Sequence, residues 1–179
     1  MSDNSTVSVG QHFLDYVMKR FRYLKLKVEK AFNQVKNEED LFLLLDEESN
    51  SIAILIRHLA GNMKSRWTDF LTTDGEKPSR DRPSEFDQTY RASKDELLKT
   101  WEDGWACVFY ALSGLTPDDL LKNVFIRKKR YSVLEAIGWQ LTHYSFHIGQ
   151  IVFLAKHIVS DSWEYLTMPR DERFYPDIE

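Results

Sequence analysis

The sequence predicts an all-α fold, a four-helix bundle with a long crossover after its second helix. Three observations predict it. Four segments carry apolar residues at intervals of three and four, the repeat of a helix with a buried face. A polar stretch broken by glycine and proline separates the second segment from the third. The fourth segment is apolar on two sides, as expected for a helix in the middle of a bundle. With 179 residues, 42% of them hydrophobic and 29% charged, the chain fits one domain, 1–179, with a full-sized core.

The first helix is predicted over about 9–35, where Phe13, Tyr16, Val17, Phe21, Leu24, Val28 and Phe32 make the buried stripe and Lys19, Arg20 and Lys27 lie between them. His12, near its start, fits a capping or surface role. Glu38-Glu39-Asp40 interrupts the pattern, and Leu41 to Leu45 is expected to lay its leucines over the bundle end. Ser49 or Asn50 can cap the second helix by accepting from a free amide of its first turn. That helix is predicted over about 50–71 through Ile52, Leu55, Ile56, Leu59, Met63, Trp67 and Phe70. From Thr72 to Tyr90 the chain reads as a loop without regular structure, long enough to be a candidate rim for a site. Ser93 and Glu96 form a capping box for a third helix over about 93–113, with Leu97, Trp101, Trp105, Val108, Phe109 and Leu112 inward. Lys122 to Ile126 alternates and predicts an extended pair before Ser132 caps the fourth helix, about 132–159. Residues 163–179 are expected to wrap as a tail. The predicted core contains Phe21, Leu55, Leu59, Trp67, Trp101, Trp105, Phe109 and Ile151.

The fourth helix carries His143 and His147. Side chains four apart stack on one helix face about 5–6 Å from each other, so both imidazoles can turn to one metal ion. They share a stripe with Ala136, Trp139, Gln140, Gln150, Ile151, Leu154 and Ile158, which predicts that they point inward. His157 falls off that stripe. A third donor has to come from another helix, and His58, within Leu55-Ile-Arg-His58-Leu-Ala-Gly-Asn62, is the best candidate. Taken alone, His58 reads more readily as a core or surface residue than as a ligand, and the pair His143/His147 brings the two readings level. Carboxylates do not complete a site at matching spacing, which speaks against a di-iron centre built on Glu-x-x-His repeats. Asn62, Gln140 and Gln150, with Tyr144, Arg66 and Trp67, are candidates to line the pocket; Asn62 and Gln150 share faces with the histidines. Their expected part is hydrogen bonding behind the ligands, or packing.

Other classes are disfavoured. A net charge of −4 argues against binding nucleic acid by phosphate neutralisation, and the basic run Ile126-Arg-Lys-Lys-Arg130 reads as a solvated turn or strand edge because no aromatic residue interrupts it. No apolar run approaches the roughly 18 residues of a membrane span, and Met1 to Thr6 lacks a signal-peptide pattern, so a cytoplasmic location is expected. The lone Cys107 excludes an intrachain disulfide and reads as a small buried side chain.

His58 in the second helix, with His143-x-x-x-His147-Ile-Gly-Gln150-Ile in the fourth, resembles the DinB/YfiT-like superfamily of metal-binding four-helix bundles. The run from Arg57 through Asn62, Arg66 and Trp67 to Pro78, and the terminal Leu166-Thr-Met-Pro-Arg170, are similar to a branch classified as a domain of unknown function. The resemblance covers nearly the whole chain. It implies that His58, His143 and His147 hold a divalent metal such as zinc or nickel, often in a homodimer. It further implies a small-molecule substrate and kinship with transferases that use a low-molecular-weight thiol such as bacillithiol, and with metal-dependent hydrolases. The first expectation is thiol transfer; the alternatives are hydrolysis and a non-catalytic metal- or ligand-binding protein.

Overall fold

The computed structural model describes residues 7–167. The expectations for residues 1–6, for most of the tail and for its Met168-Pro-Arg170 motif lie outside the described residues. Four long helices appear where the periodicity puts them. Helix α1 is Val9–Gln34 and α2 is Ile52–Trp67. A short α3, Arg82–Glu85, interrupts the crossover before α4, Lys94–Ser113. A hairpin of β1, Asn123–Ile126, and β2, Lys129–Ser132, then leads into α5, Val133–Val159. Helix α2 packs mainly on α4 and α1 on α5, while α2 also meets α5 and α1 meets α4. Among the described residues no helix is long and apolar enough to cross a membrane.

The expected capping box of Ser93 and Glu96 opens α4, and Ser132 forms a second with Glu135 at α5. The cap of α2 differs: Ser51, not Ser49 or Asn50, accepts from the Ile54 amide at 3.2 Å. The same helix stops at Trp67, short of the expected 71. Thr68 is extended and Asp69 turns left-handed at φ 49°, a conformation that aspartate tolerates. The Thr72 and Thr73 amides then donate to the Asp69 carbonyl, each at 3.0 Å.

Seven of the eight predicted core residues are buried, Phe21, Leu55, Leu59, Trp67, Trp101, Trp105 and Ile151. Phe109 is half-buried and stacks on Trp105 with ring centroids 5.3 Å apart. Of the leucines expected over the bundle end, Leu41 is buried, but Leu43 and Leu45 are exposed, because the 3-10 turn Glu38–Phe42 ends before them and the chain beyond it is extended. Helix α2, not α5, is the helix buried on nearly every side. On α5 the histidine stripe is inward only in part: Ala136, Ile151 and Leu154 are buried, while Trp139 is 62% exposed. That side of α5 faces an open cavity instead of a fourth wall of helix.

The connecting segments are tied together at the cavity mouth. The basic run forms the hairpin turn, with Arg127 and Lys128 at φ 53° and 62°. A two-residue turn of this kind favours Asn and Gly. Asp74, in the crossover, compensates here: its carboxylate accepts from the Arg127 amide at 2.9 Å and the Lys128 amide at 2.7 Å. Gly75 donates to the Phe125 carbonyl at 2.7 Å, and its own carbonyl accepts from Ser65 Oγ at 2.8 Å and from Arg66. The crossover also has regular structure that the polar composition did not predict. In α3, Asp81 caps the Ser84 amide at 3.3 Å and Pro83 pre-sets the first turn.

Candidate metal centre

Three imidazoles meet between α2 and α5. His58 comes from the buried middle of α2 and is 5% exposed. His143 and His147, half-buried on successive turns of α5, face it with ring centroids 5.4 and 5.0 Å away and 4.8 Å from each other. One ligand atom from each lies within 4.8 Å of the others. His58 Nε2 and His143 Nε2 are 3.3 Å apart. A tetrahedral ion bound at about 2.0–2.1 Å sets neighbouring nitrogens about 3.3–3.4 Å apart, so this pair already stands at chelate spacing.

Hydrogen bonds behind the rings decide which nitrogens face inward. His58 Nδ1 lies 2.9 Å from Glu85 Oε2 and His147 Nδ1 lies 2.8 Å from Gln150 Oε1. Since an ionised carboxylate and an amide oxygen only accept, both rings carry the proton on Nδ1 and keep the Nε2 lone pair for the centre. The Nδ1 of His143 is buried without a partner among the described residues. Burial, first, then His147, His58 and the Arg66 and Arg80 charges lower its pKa to about 3. Burial lowers His147 as well, against the opposing bond from Gln150. Both rings are thus held neutral, the form that offers a lone pair to an ion.

The acceptor for His58 is the main residue that the sequence did not disclose. The sequence points to Asn62, Gln140 and Gln150 for that part and offers no carboxylate at matching spacing. Glu85 fills that place from α3, 6% exposed. Burial alone raises its pKa, but bonds from His58 and Arg80 override that and hold it below the usual carboxylate range. Arg80 grips it twice, Nε to Oε1 and Nη2 to Oε2, both at 2.8 Å. Gly61, one turn after His58, makes the space: a Cβ there would stand 2.8 Å from Glu85 Cδ. A glycine inside an otherwise large-residue helix was the one available signal.

The histidines form one wall of a cavity of about 590 Å³. Asn62 and Gln140 line it, buried at 5% and 7% exposure, and their amide oxygens have no hydrogen-bond partner among the described residues. Neither braces a histidine. Gln150 does, and it sits outside the cavity lining. Arg66 also lines the cavity, whereas Trp67 and Tyr144 lie buried and bonded to each other, Nε1 to Oη, at 2.9 Å. His12 and His157 are exposed and take no part in the cluster.

A comparison with curated proteins finds no match. Among solved structures the chain is similar to one described as "YfiT from Bacillus subtilis is a probable metal-dependent hydrolase with an unusual four-helix bundle topology". That likeness has a TM-score of 0.66 at 17% identity and covers 92% of this chain and 95% of that one, which establishes the shared fold. A family model described as "Protein of unknown function (DUF1572)" matches residues 8–172. The match takes in the bundle, the crossover that carries Glu85 and all three clustered histidines, and the chain belongs to that family.

Proposed function

We propose that the protein is a metal-dependent enzyme acting on a small molecule, with His58, His143 and His147 as ligands of one divalent ion, zinc or nickel. The observation that carries this reading is a cluster of three histidines on the wall of an open cavity, with no acidic or cysteine ligand added to it among the described residues. Structural sites close four protein ligands around an ion, whereas catalytic ones keep a position for substrate. An ion in this set supplies Lewis acidity and acidifies a water or thiol nucleophile. The chain's own residues do the rest: Glu85 and Gln150 fix two of the rings, Arg80 fixes Glu85, and Asn62 and Gln140 line the cavity beside them.

Hydrolysis is the reading supported by the printed description of YfiT. Transfer of a low-molecular-weight thiol of the bacillithiol kind is the second, supported by the family resemblance and by a cavity of about 590 Å³, roomy enough for a ligand of substantial size. The protein is read as a homodimer. Phe13 and Phe109 pack against the protein's own core; exposed apolar side chains elsewhere, such as Tyr110, Leu121 and Phe153, leave surface for that contact. Elemental analysis of the purified protein, followed by a panel of esters and amides and a panel of thiol donors with electrophiles, tests the proposal. One equivalent of metal with turnover in either panel supports it. Absence of stoichiometric metal overturns it, and metal without turnover leaves a binding protein.

A further inference from the structure

We infer that the histidine cavity takes an organic oxyanion, its carboxylate or phosphate held at the mouth by Arg82 and Arg127 and its apolar body laid against Phe86, Trp139 and Phe146. This rests on the reading of the cavity as the substrate site. Apart from the histidines, every ionisable side chain that lines the cavity and is charged at neutral pH is an arginine: Arg66, Arg80, Arg82 and Arg127. The chain as a whole carries −4, so this concentration of positive charge is local and opposed to the general surface.

The four arginines divide into two pairs. Arg66 and Arg80 are committed to the scaffold. Arg66 bonds the Gly75 carbonyl and reaches Glu76 at 3.0 Å, and Arg80 grips Glu85. Arg82 is not used in that way, and Arg127 only in part. Arg82 lies over the Phe86 ring at 4.9 Å and makes no ion pair among the described residues. Arg127 holds Glu76 through Nε alone, at 2.9 Å, with its side chain 64% exposed. Guanidinium stacked on an aromatic face keeps its edge free for a bidentate oxyanion. Arg82 over Phe86 has that form.

The apolar part of the ligand follows from the aromatic side chains of the lining. Trp139 and Phe146 are 62% and 67% exposed, apolar surface that gains by leaving water, and both line the cavity. Asn62 and Gln140 belong to the same lining as the histidines and are almost fully buried.

Isothermal titration calorimetry tests this with 1-naphthylacetate, 1-naphthyl phosphate and the neutral 1-naphthylacetamide, on metal-loaded and metal-stripped protein. At least one of the two anions should bind about tenfold or more tighter than the amide, in both forms of the protein, and the better anion names the head group. The double variant R82Q/R127Q should lose that advantage while its metal stoichiometry and melting temperature stay at the wild-type values. Equal binding of the amide and both anions overturns the inference, as does undiminished anion binding by the variant. Metal content is read separately, so a protein that binds the anions without holding an ion would refute the metal centre and leave the anion site standing.

Discussion

Replacing Glu85 by glutamine tests whether the crossover controls the metal centre. The carboxylate accepts from His58 Nδ1 at 2.9 Å and from two Arg80 nitrogens at 2.8 Å. Glutamine keeps one acceptor oxygen and turns an NH₂ toward the other donors, so either His58 or Arg80 faces an N–H. If His58 loses its acceptor, both its orientation and its basicity fall. Loss of such a partner behind a histidine ligand typically lowers metal affinity about 10–100-fold, or about 1.4–2.7 kcal/mol. Removing one partner of a buried ion pair costs about 3–5 kcal/mol of stability; the loss here should be smaller, because Glu76 lies 3.7 Å from Arg80. Competition against a chromophoric chelator measures the affinity, and urea unfolding of the metal-free protein measures the stability. Gly61→Ala provides a second route to the same defect, since its Cβ would displace the Glu85 carboxylate. Glu85→Ala removes the acceptor in either orientation, and a folded E85A protein with wild-type metal affinity would falsify the assignment and reduce Glu85 to a structural partner of Arg80.

His143→Ala should abolish stoichiometric metal, while His12→Ala and His157→Ala, at exposed positions outside the cluster, should bind as the wild type does; retention of one equivalent by H143A would remove the site. Leu59, 0% exposed, should cost about 2–5 kcal/mol when cut to alanine, and an unchanged urea midpoint would contradict its place in the core. Acid should destabilise the metal-free protein. His143, lowered from 6.5 to about 3, and His147, also lowered, bind fewer protons folded than unfolded. Their contribution is therefore intact above about pH 6.5 and is lost as pH falls toward the folded values. Glu85, held below 4.5, acts in the same direction at lower pH; urea midpoints that stay level from neutral pH to pH 5 would refute the burial of these rings. Light scattering should give twice the 21.2 kDa chain mass, and monomer at every concentration would exclude the dimer.

The bundle was legible because its signals are local and repeated: apolar spacing on each helix and the serine caps. The histidine cluster was legible in part for the same reason, since a four-residue separation on one helix fixes the relation of His143 to His147. His58 became specific only through the pattern that joins it to them. Glu85 was not legible, because its approach to His58 depends on how a 26-residue connection, 68–93, folds back, and polar composition alone does not encode that path. Trp139 was misjudged because periodicity assigns a face to a helix without telling whether that face meets a neighbour or an opening. Arg66 was legible as a lining residue, but Arg80, Arg82 and Arg127, in the crossover and the hairpin turn, were hidden.

The clustered histidines and the arginines around them come from different kinds of chain. His58, His143 and His147 stand on long packed helices, where backbone position is set by the core. Arg80, Arg82, Phe86 and Arg127 belong to connections, which tolerate replacement and insertion far better than packed helices do. A descendant of this chain can therefore change what the cavity accepts by rewriting its connections while its clustered histidines stay untouched. Glu85 sets the limit to that freedom: it belongs to the exchangeable part but steadies His58, so any new crossover must return a carboxylate to the notch above Gly61.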